Sequence, residues 1–233
     1  MVGDAPAASG GAEKHVVMIV GSRGTSCSAT AIARDVLLTA AHCVLPGADY
    51  KLVAFEGGKP ALKDIAAIAR HPQFELKSLL AHRATADVAL LKLAAPLPGN
   101  LSPAVIGNGP APTQAGAKFL VTGFGVTVRG DGKTGGTLRG AALAATGRPG
   151  NVQLRLVDPA ANNQRSGLGA CTGDSGAPAF ETREGRLALI GVVSWSTGPG
   201  NTAGCGGLTG VTPLALYRAW IVETARKLGV PLP

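Results

Sequence analysis

The sequence predicts an all-β fold of many short strands, laid out in two halves and closed by one C-terminal helix. Three observations carry that expectation. Glycine and proline are plentiful, 34 and 16 in 233 residues, and they punctuate short apolar runs; such spacing favours strands joined by turns. Hydrophobic residues make up 45% of the chain and charged residues only 15%, a balance that supports a packed core. Only one segment, near the C-terminus, repeats apolar residues at three- and four-residue steps.

In chain order, the first strand candidates are Val16-Val17-Met18-Ile19-Val20 and Val36-Leu37-Leu38, and a third runs over 88–93. The stretch 94–116 then carries Pro96, Pro98, Pro103, Pro110 and Pro112 among Gly, Asn and Ala, which marks it as the connection between two halves of similar size. A strand is expected again at 118–122. In the terminal helix Thr212 serves as N-cap and Pro213 occupies the first turn. Leu214, Tyr217, Trp220, Ile221, Thr224 and Leu228 form its apolar stripe, with Arg218, Glu223 and Arg226 on other faces. Lys227 suits the helix dipole and Gly229 supplies the stop.

The net charge of +8 raises nucleic-acid binding as a possibility. Lys and Arg are scattered without a dense cluster or interleaved aromatics, so no nucleic-acid partner is expected. A basic surface still favours acidic partners through attraction that salt screens. No apolar run is long enough to span a bilayer, and no signal-peptide core follows Met1-Val2-Gly3-Asp4. Export would therefore require that a signal has already been removed. Cysteines at 27, 43, 171 and 205 lack zinc spacing and allow three pairings, and their even number fits an oxidising compartment.

Serine-dependent hydrolysis needs a nucleophile, a base, a carboxylate that orients the base, and donors for an oxyanion. Leu38-Thr39-Ala40-Ala41-His42-Cys43 offers a histidine among small neighbours, although a lone histidine is usually structural. Asp87-Val88-Ala89-Leu90-Leu91-Lys92-Leu93 follows, with Asp87 45 residues after His42; an acid before an apolar strand is commonplace by itself. Cys171-Thr172-Gly173-Asp174-Ser175-Gly176-Ala177-Pro178 reads blandly as a glycine-rich turn. Taken together, in the order His, Asp, Ser, these segments closely resemble the trypsin/chymotrypsin family of secreted serine endopeptidases. Gly123-Phe124-Gly125, with Phe for the family's Trp, His71-Pro72, Val192-Val193-Ser194-Trp195 and the helix aromatics extend the likeness over nearly the whole chain.

The resemblance implies two six-stranded antiparallel β-barrels with the active site between them and a C-terminal α-helix. Residues 1–112 would form the first barrel with the connection, and 113–233 the second barrel and helix, together one peptidase domain. It implies a triad in which His42 is the general base, Asp87 orients it and Ser175 is the nucleophile. The N–H groups of Gly173 and Ser175 would form the oxyanion hole. It also implies that Ser194 supports Asp87, that the backbone of Ser194, Trp195 and Ser196 pairs with substrate, and that Cys27 bonds Cys43 and Cys171 bonds Cys205. His15, His71 and His82 are read as structural.

Departures from the family pattern are as telling. Ala177 replaces a second glycine, and two disulfides are few, a count more typical of bacterial members. The segment between His42 and His71 is short, with Glu56 and Asp64 its only well-placed acids, so no calcium site is expected, nor any other metal or cofactor. Gly169, next to Ala170, stands where an Asp would select Lys or Arg, and residues 189–210 contain no acid. A neutral, apolar P1 residue is therefore expected, with Ser196 narrowing the entrance. Asp174 is expected to pair with a free amine at Val2 or Met1 and so to shape the oxyanion hole. Expected partners are a protein or peptide substrate and protein inhibitors; the chain is expected to be a secreted or periplasmic monomer. The alternatives are a catalytically silent binding protein on the same scaffold and an unprocessed zymogen.

Overall fold

A computed structural model describes residues 1–56, 59–150 and 152–232. Its first half folds as strands β1 (Val16–Gly21), β2 (Ser26–Ala33), β3 (Val36–Thr39), β4 (Tyr50–Glu56), β5 (Lys59–Arg70) and β6 (Ala89–Leu93), closed into an antiparallel barrel in the order β1-β2-β3-β6-β5-β4. Alternate residues of these strands fill its interior: Val17 and Ile19, Ala29 and Ala31, Leu37, then Ala89, Leu91 and Leu93. The intervening residues Val16, Val36, Leu38, Val88 and Leu90 are buried as well, against the second half and the C-terminal helix. Burial on both faces explains why 36–38 and 88–91 are continuous apolar runs instead of alternating ones. Each fully buried Leu there contributes about 2 kcal/mol.

The second half supplies β8 (Lys118–Gly123), β9 (Arg139–Ala145), β10 (Leu154–Val157), β11 (Pro178–Arg183), β12 (Arg186–Ser196) and β13 (Thr209–Pro213). They close into another antiparallel six-stranded barrel through the β11–β12 pairing. The proline-rich connection carries one short strand, β7 (Val105–Ile106), which joins the edge of β12 in parallel. The first residues of the chain also belong with this sheet: Val2 bridges Gly169 and Ala7 bridges Arg139.

The terminal helix starts later than the sequence pattern suggests. Thr212 and Pro213 end β13, paired with Val192 and Gly191, and α2 spans Arg218–Lys227 after a 3-10 turn over Leu214–Tyr217. The cap signal at Thr212-Pro213 loses to extended pairing against β12, which holds both residues in the barrel sheet. The stop is at Gly229, which takes φ +81° and donates its N–H to Arg226 O at 3.0 Å. Ile221 and Ala225 are fully buried between helix and barrels. His71 braces the helix start, with its ring 5.1 Å from Tyr217 and 4.8 Å from Trp220. Burial pushes the His71 imidazole down, and Nδ1 accepts the Gln73 N–H at 3.2 Å.

Candidate active site

The three chemistry-bearing segments converge on a cleft of about 360 Å³ between the barrels. His42 lies in a 3-10 turn, Ala41–Val44, that follows β3. Ala40, Ala41 and Cys43 are buried while His42 keeps partial exposure, so the small neighbours pack and the ring faces the cleft. Cys43 is bonded to Cys27 of β2 with S–S 2.07 Å, which ties this turn to the adjacent strand. Both sulfurs are consumed by that bond, so their closeness to the His42 ring offers no thiolate to a metal.

Asp87 precedes β6 and is wholly buried. Its Oδ2 accepts from His42 Nδ1 at 2.8 Å and from the Ser194 hydroxyl at 2.5 Å, while Oδ1 accepts the His42 backbone N–H at 3.0 Å. Ser194 reaches Asp87 because the β12–β13 register shifts between Val193 and Trp195, a bulge that turns its side chain toward the first barrel. With Nδ1 held as donor, Nε2 is the nitrogen free to take a proton. Burial, then the Asp87 charge, pushes the nearby Tyr217 hydroxyl up.

Ser175 sits on a turn that is docked directly onto β2. Ser28 N–H donates to Ser175 O at 2.8 Å, and Ser28 Oγ donates to Gly173 O at 3.0 Å and accepts the Phe124 N–H at 3.0 Å. The approach leaves room only for glycine at 176. A Cβ there would lie 2.1 Å from Thr39 Oγ1 and 2.3 Å from Ser28 O, at φ +78°. Ser175 lines the cleft beside His42. Among the described residues no hydrogen bond reaches its hydroxyl, and the N–H groups of Gly173 and Ser175 donate to none of them. Gly173 takes φ +93°, a conformation in which a side chain would be strained.

Behind this turn Asp174 is fully buried. The Met1 ammonium lies 2.9 Å from its Oδ2 and donates also to Gly125 O at 2.8 Å and Val126 O at 3.0 Å. The Gly125 and Cys171 N–H groups reach the two carboxylate oxygens at 2.8 and 2.9 Å. Burial pushes the Asp174 carboxyl up, and the ammonium and both amides oppose that; three donors around two oxygens form a cradle for the ionised form. The Gly123-Phe124-Gly125 segment has its glycines for the same reason: a Cβ on either would come within 2.4 Å of the Asp174 carboxylate. Ala177 is buried in the second-barrel core, where its methyl is packed.

Ala170, Trp195 and Ser196 form the second-barrel wall of the cleft, and Cys171, bonded to Cys205 with S–S 2.04 Å, holds the wall loops together. Gly169 lies behind Ala170 and pairs with Val2 instead of lining the cleft. Thr209, a residue to which the sequence reading gave no role, is fully buried there, and its Oγ1 accepts the Ala170 N–H at 3.0 Å. Its hydroxyl oxygen lies 3.5 Å, and the Gly206 Cα 3.2 Å, from where a Cβ on Gly169 would sit. Thr209 is thus packed directly behind Ala170 and Gly169, with the Gly206 backbone beside it. Asp158, just outside, is occupied: its oxygens accept the Ala160 and Leu168 N–H groups at 2.8 and 2.9 Å. Ser196 Oγ donates across the entrance to Gly204 O at 3.4 Å.

His82 stacks on Trp195 at 4.7 Å, and Leu79, from helix α1 (Leu76–Leu80), packs with Trp195, Val157 and Leu208. His15 Nδ1 is 2.7 Å from Ser102 O. Asp64 is ion-paired with Lys51, and the side chain of Glu56 lies outside the described residues.

A family model described as Trypsin matches residues 1–221. Over 243 residues the chain is 30% identical to a protein of Rattus norvegicus named Transmembrane protease serine 9; the match takes in 97% of this chain but only 22% of that relative. It is 31% identical over 222 residues to a Vitellin-degrading protease of Bombyx mori, covering 87% of this chain and 77% of the relative. Trypsin iota of Drosophila melanogaster is 26% identical over 226 residues, with coverage of 87% and 79%.

Proposed function

From the premise that this chain belongs to the trypsin family, we propose that it is a serine endopeptidase whose triad is Ser175, His42 and Asp87. The observation that carries this reading is the hydrogen-bonded line from Ser194 through Asp87 to His42, with Ser175 on the same cleft. As a peptide enters, His42 Nε2 takes the Ser175 proton while Oγ bonds to the scissile carbonyl carbon. The carbonyl oxygen becomes an oxyanion that the Gly173 and Ser175 N–H groups stabilise. Collapse breaks the C–N bond, and the amine leaves with the proton from His42. Water, deprotonated by His42, then adds to the acyl carbon, the C–Oγ bond breaks, and His42 returns the proton to Ser175. Two disulfides suit a protein that works in an oxidising compartment, outside the cytoplasm.

The test is labelling with a fluorophosphonate probe, mapped by mass spectrometry. We expect an adduct on Ser175 that is absent from Ser175→Ala. A wild-type chain that stays unlabelled while folded would favour a binding protein.

The pocket favours a small, neutral P1 residue. Among the described residues no carboxylate lines it, and Thr209, packed behind Ala170, limits its depth. Thr209→Gly is expected to raise kcat/KM for a Phe or Leu P1 peptide over an Ala P1 peptide by about 10- to 100-fold, the scale of one to a few methylenes in an apolar pocket. Thr209→Val, which keeps the volume and loses the hydrogen bond, should retain the small-P1 preference. A peptide library read by mass spectrometry checks both; a wild-type preference for Lys or Arg would refute the reading.

A further inference from the structure

At one end of the cleft two guanidinium groups have no carboxylate partner among the described residues. Arg23 is exposed at the tip of the β1–β2 hairpin, with Nη atoms 3.2 and 3.3 Å from where a Cβ on Gly47 would sit. Arg70, at the end of β5, donates Nη1 to Val44 O at 2.7 Å. The two therefore bracket the loop that leads away from His42. Tyr50 lies between them with its hydroxyl donating to Leu45 O at 2.8 Å, and both positive charges pull against the burial that pushes that hydroxyl up. Elsewhere Lys92, Arg183 and Arg226 each have an acid, Asp35, Glu181 and Glu223, while Arg129 and Arg139, away from this corner, reach backbone carbonyls. In this corner Lys51 engages Asp64, and Asp49 is exposed beside Ser22.

The position of this pair relative to the chemistry follows from the cleft walls. Ala170, Trp195 and Ser196 hold the P1 side, so the chain beyond the scissile bond leaves along the first-barrel wall, Gly24 to Cys27. That wall starts beside Ser175, through the Ser28 N–H bond to Ser175 O, and ends next to Arg23. Four extended residues span about 13 Å, so a substrate running beside it brings its second to fourth leaving-group residues to the hairpin tip.

We propose that Arg23, with Arg70 behind it, selects peptides carrying an acidic residue two to four positions after the scissile bond. This rests on the peptidase reading above. The attraction is between a side chain in solvent and a carboxylate on a flexible peptide, so it works at long range and is screened by salt.

The experiment compares peptides of one common sequence up to P1, with Glu, Gln or Lys at each of P2′, P3′ and P4′, and reads kcat/KM at low salt. Glu is expected to exceed Lys by about tenfold at one or more of these positions, mainly through KM, and the ratio should approach one as salt rises toward about 0.5 M. Arg23→Glu should reverse the ratio and Arg23→Lys should keep it. A wild-type ratio near one, or one that Arg23→Glu leaves in place, overturns the proposal alone. Failure to cleave every peptide, together with no probe adduct on Ser175, overturns the peptidase reading and this proposal with it.

Discussion

Asp87→Asn is expected to lower kcat by about 10⁴-fold, the scale of loss when the orienting carboxylate of a Ser-His-Asp triad becomes an amide. The geometry explains why so small a change acts so strongly. Asp87 Oδ2 takes hydrogen bonds from both His42 Nδ1 and Ser194 Oγ, and Oδ1 takes the His42 N–H. An amide offers one acceptor and one donor in place of two acceptors. If its oxygen takes the Oδ1 place and keeps the backbone N–H, its NH₂ takes the Oδ2 place and faces both Nδ1 and the Ser194 hydroxyl. The ring must then present a lone pair there and its proton on Nε2, the nitrogen that should be empty to accept from Ser175. The imidazolium also loses its adjacent negative charge. Hydrolysis of a small-P1 peptide, with melting temperature measured in parallel, is the check. Nearly full activity in a folded Asp87→Asn protein would remove Asp87 from the mechanism.

Asp174→Ala should cost about 3–5 kcal/mol of stability, the usual result of removing one partner from a buried ion pair. At roughly 2–4 °C per kcal/mol for a chain of this size, the melting temperature should fall by about 10 °C. Three donors lose their acceptor at once: the Met1 ammonium and the Gly125 and Cys171 N–H groups. They remain buried, and the ammonium retains only the Gly125 and Val126 carbonyls. The loop that carries Gly173 and Ser175 is held from behind by this carboxylate, so probe labelling of Ser175 should slow even in molecules that stay folded. Wild-type melting and labelling in Asp174→Ala would mean that the disulfide to Cys205 and the contacts to Ser28 suffice to shape the turn.

The fold was legible where local chemistry and burial agree. Short apolar runs marked β1, β3, β6 and β8, because a buried strand needs little more than apolar side chains and a turn or polar residue at its ends. Where two backbone solutions compete, the sequence alone misled. Thr212-Pro213 carries a good helix start, yet the neighbouring strand β12 offers pairing that the cap cannot match. Thr209 passed unnoticed for a related reason: threonine in a strand is ordinary, and only the sheet that sets β13 behind Ala170 brings its hydroxyl onto the Ala170 N–H.

By itself the sequence determined the residue types that the chemistry requires, their order, and the absence of an acid at Gly169, since each is a property of single positions or of short motifs. The glycines at 123, 125 and 176 were visible too, but not what they make room for. Only the tertiary structure decided that Gly176 lets the Ser175 turn touch Thr39 and Ser28 of the other barrel, and that 123 and 125 leave space for the Asp174 carboxylate. It also decided that His42 and Asp87 meet at 2.8 Å and that Arg23 and Arg70 bracket one loop. The reason is physical. Propensity and turn chemistry act over a few residues, whereas these contacts join segments tens to more than a hundred positions apart, and barrel closure sets which of them come within ångströms.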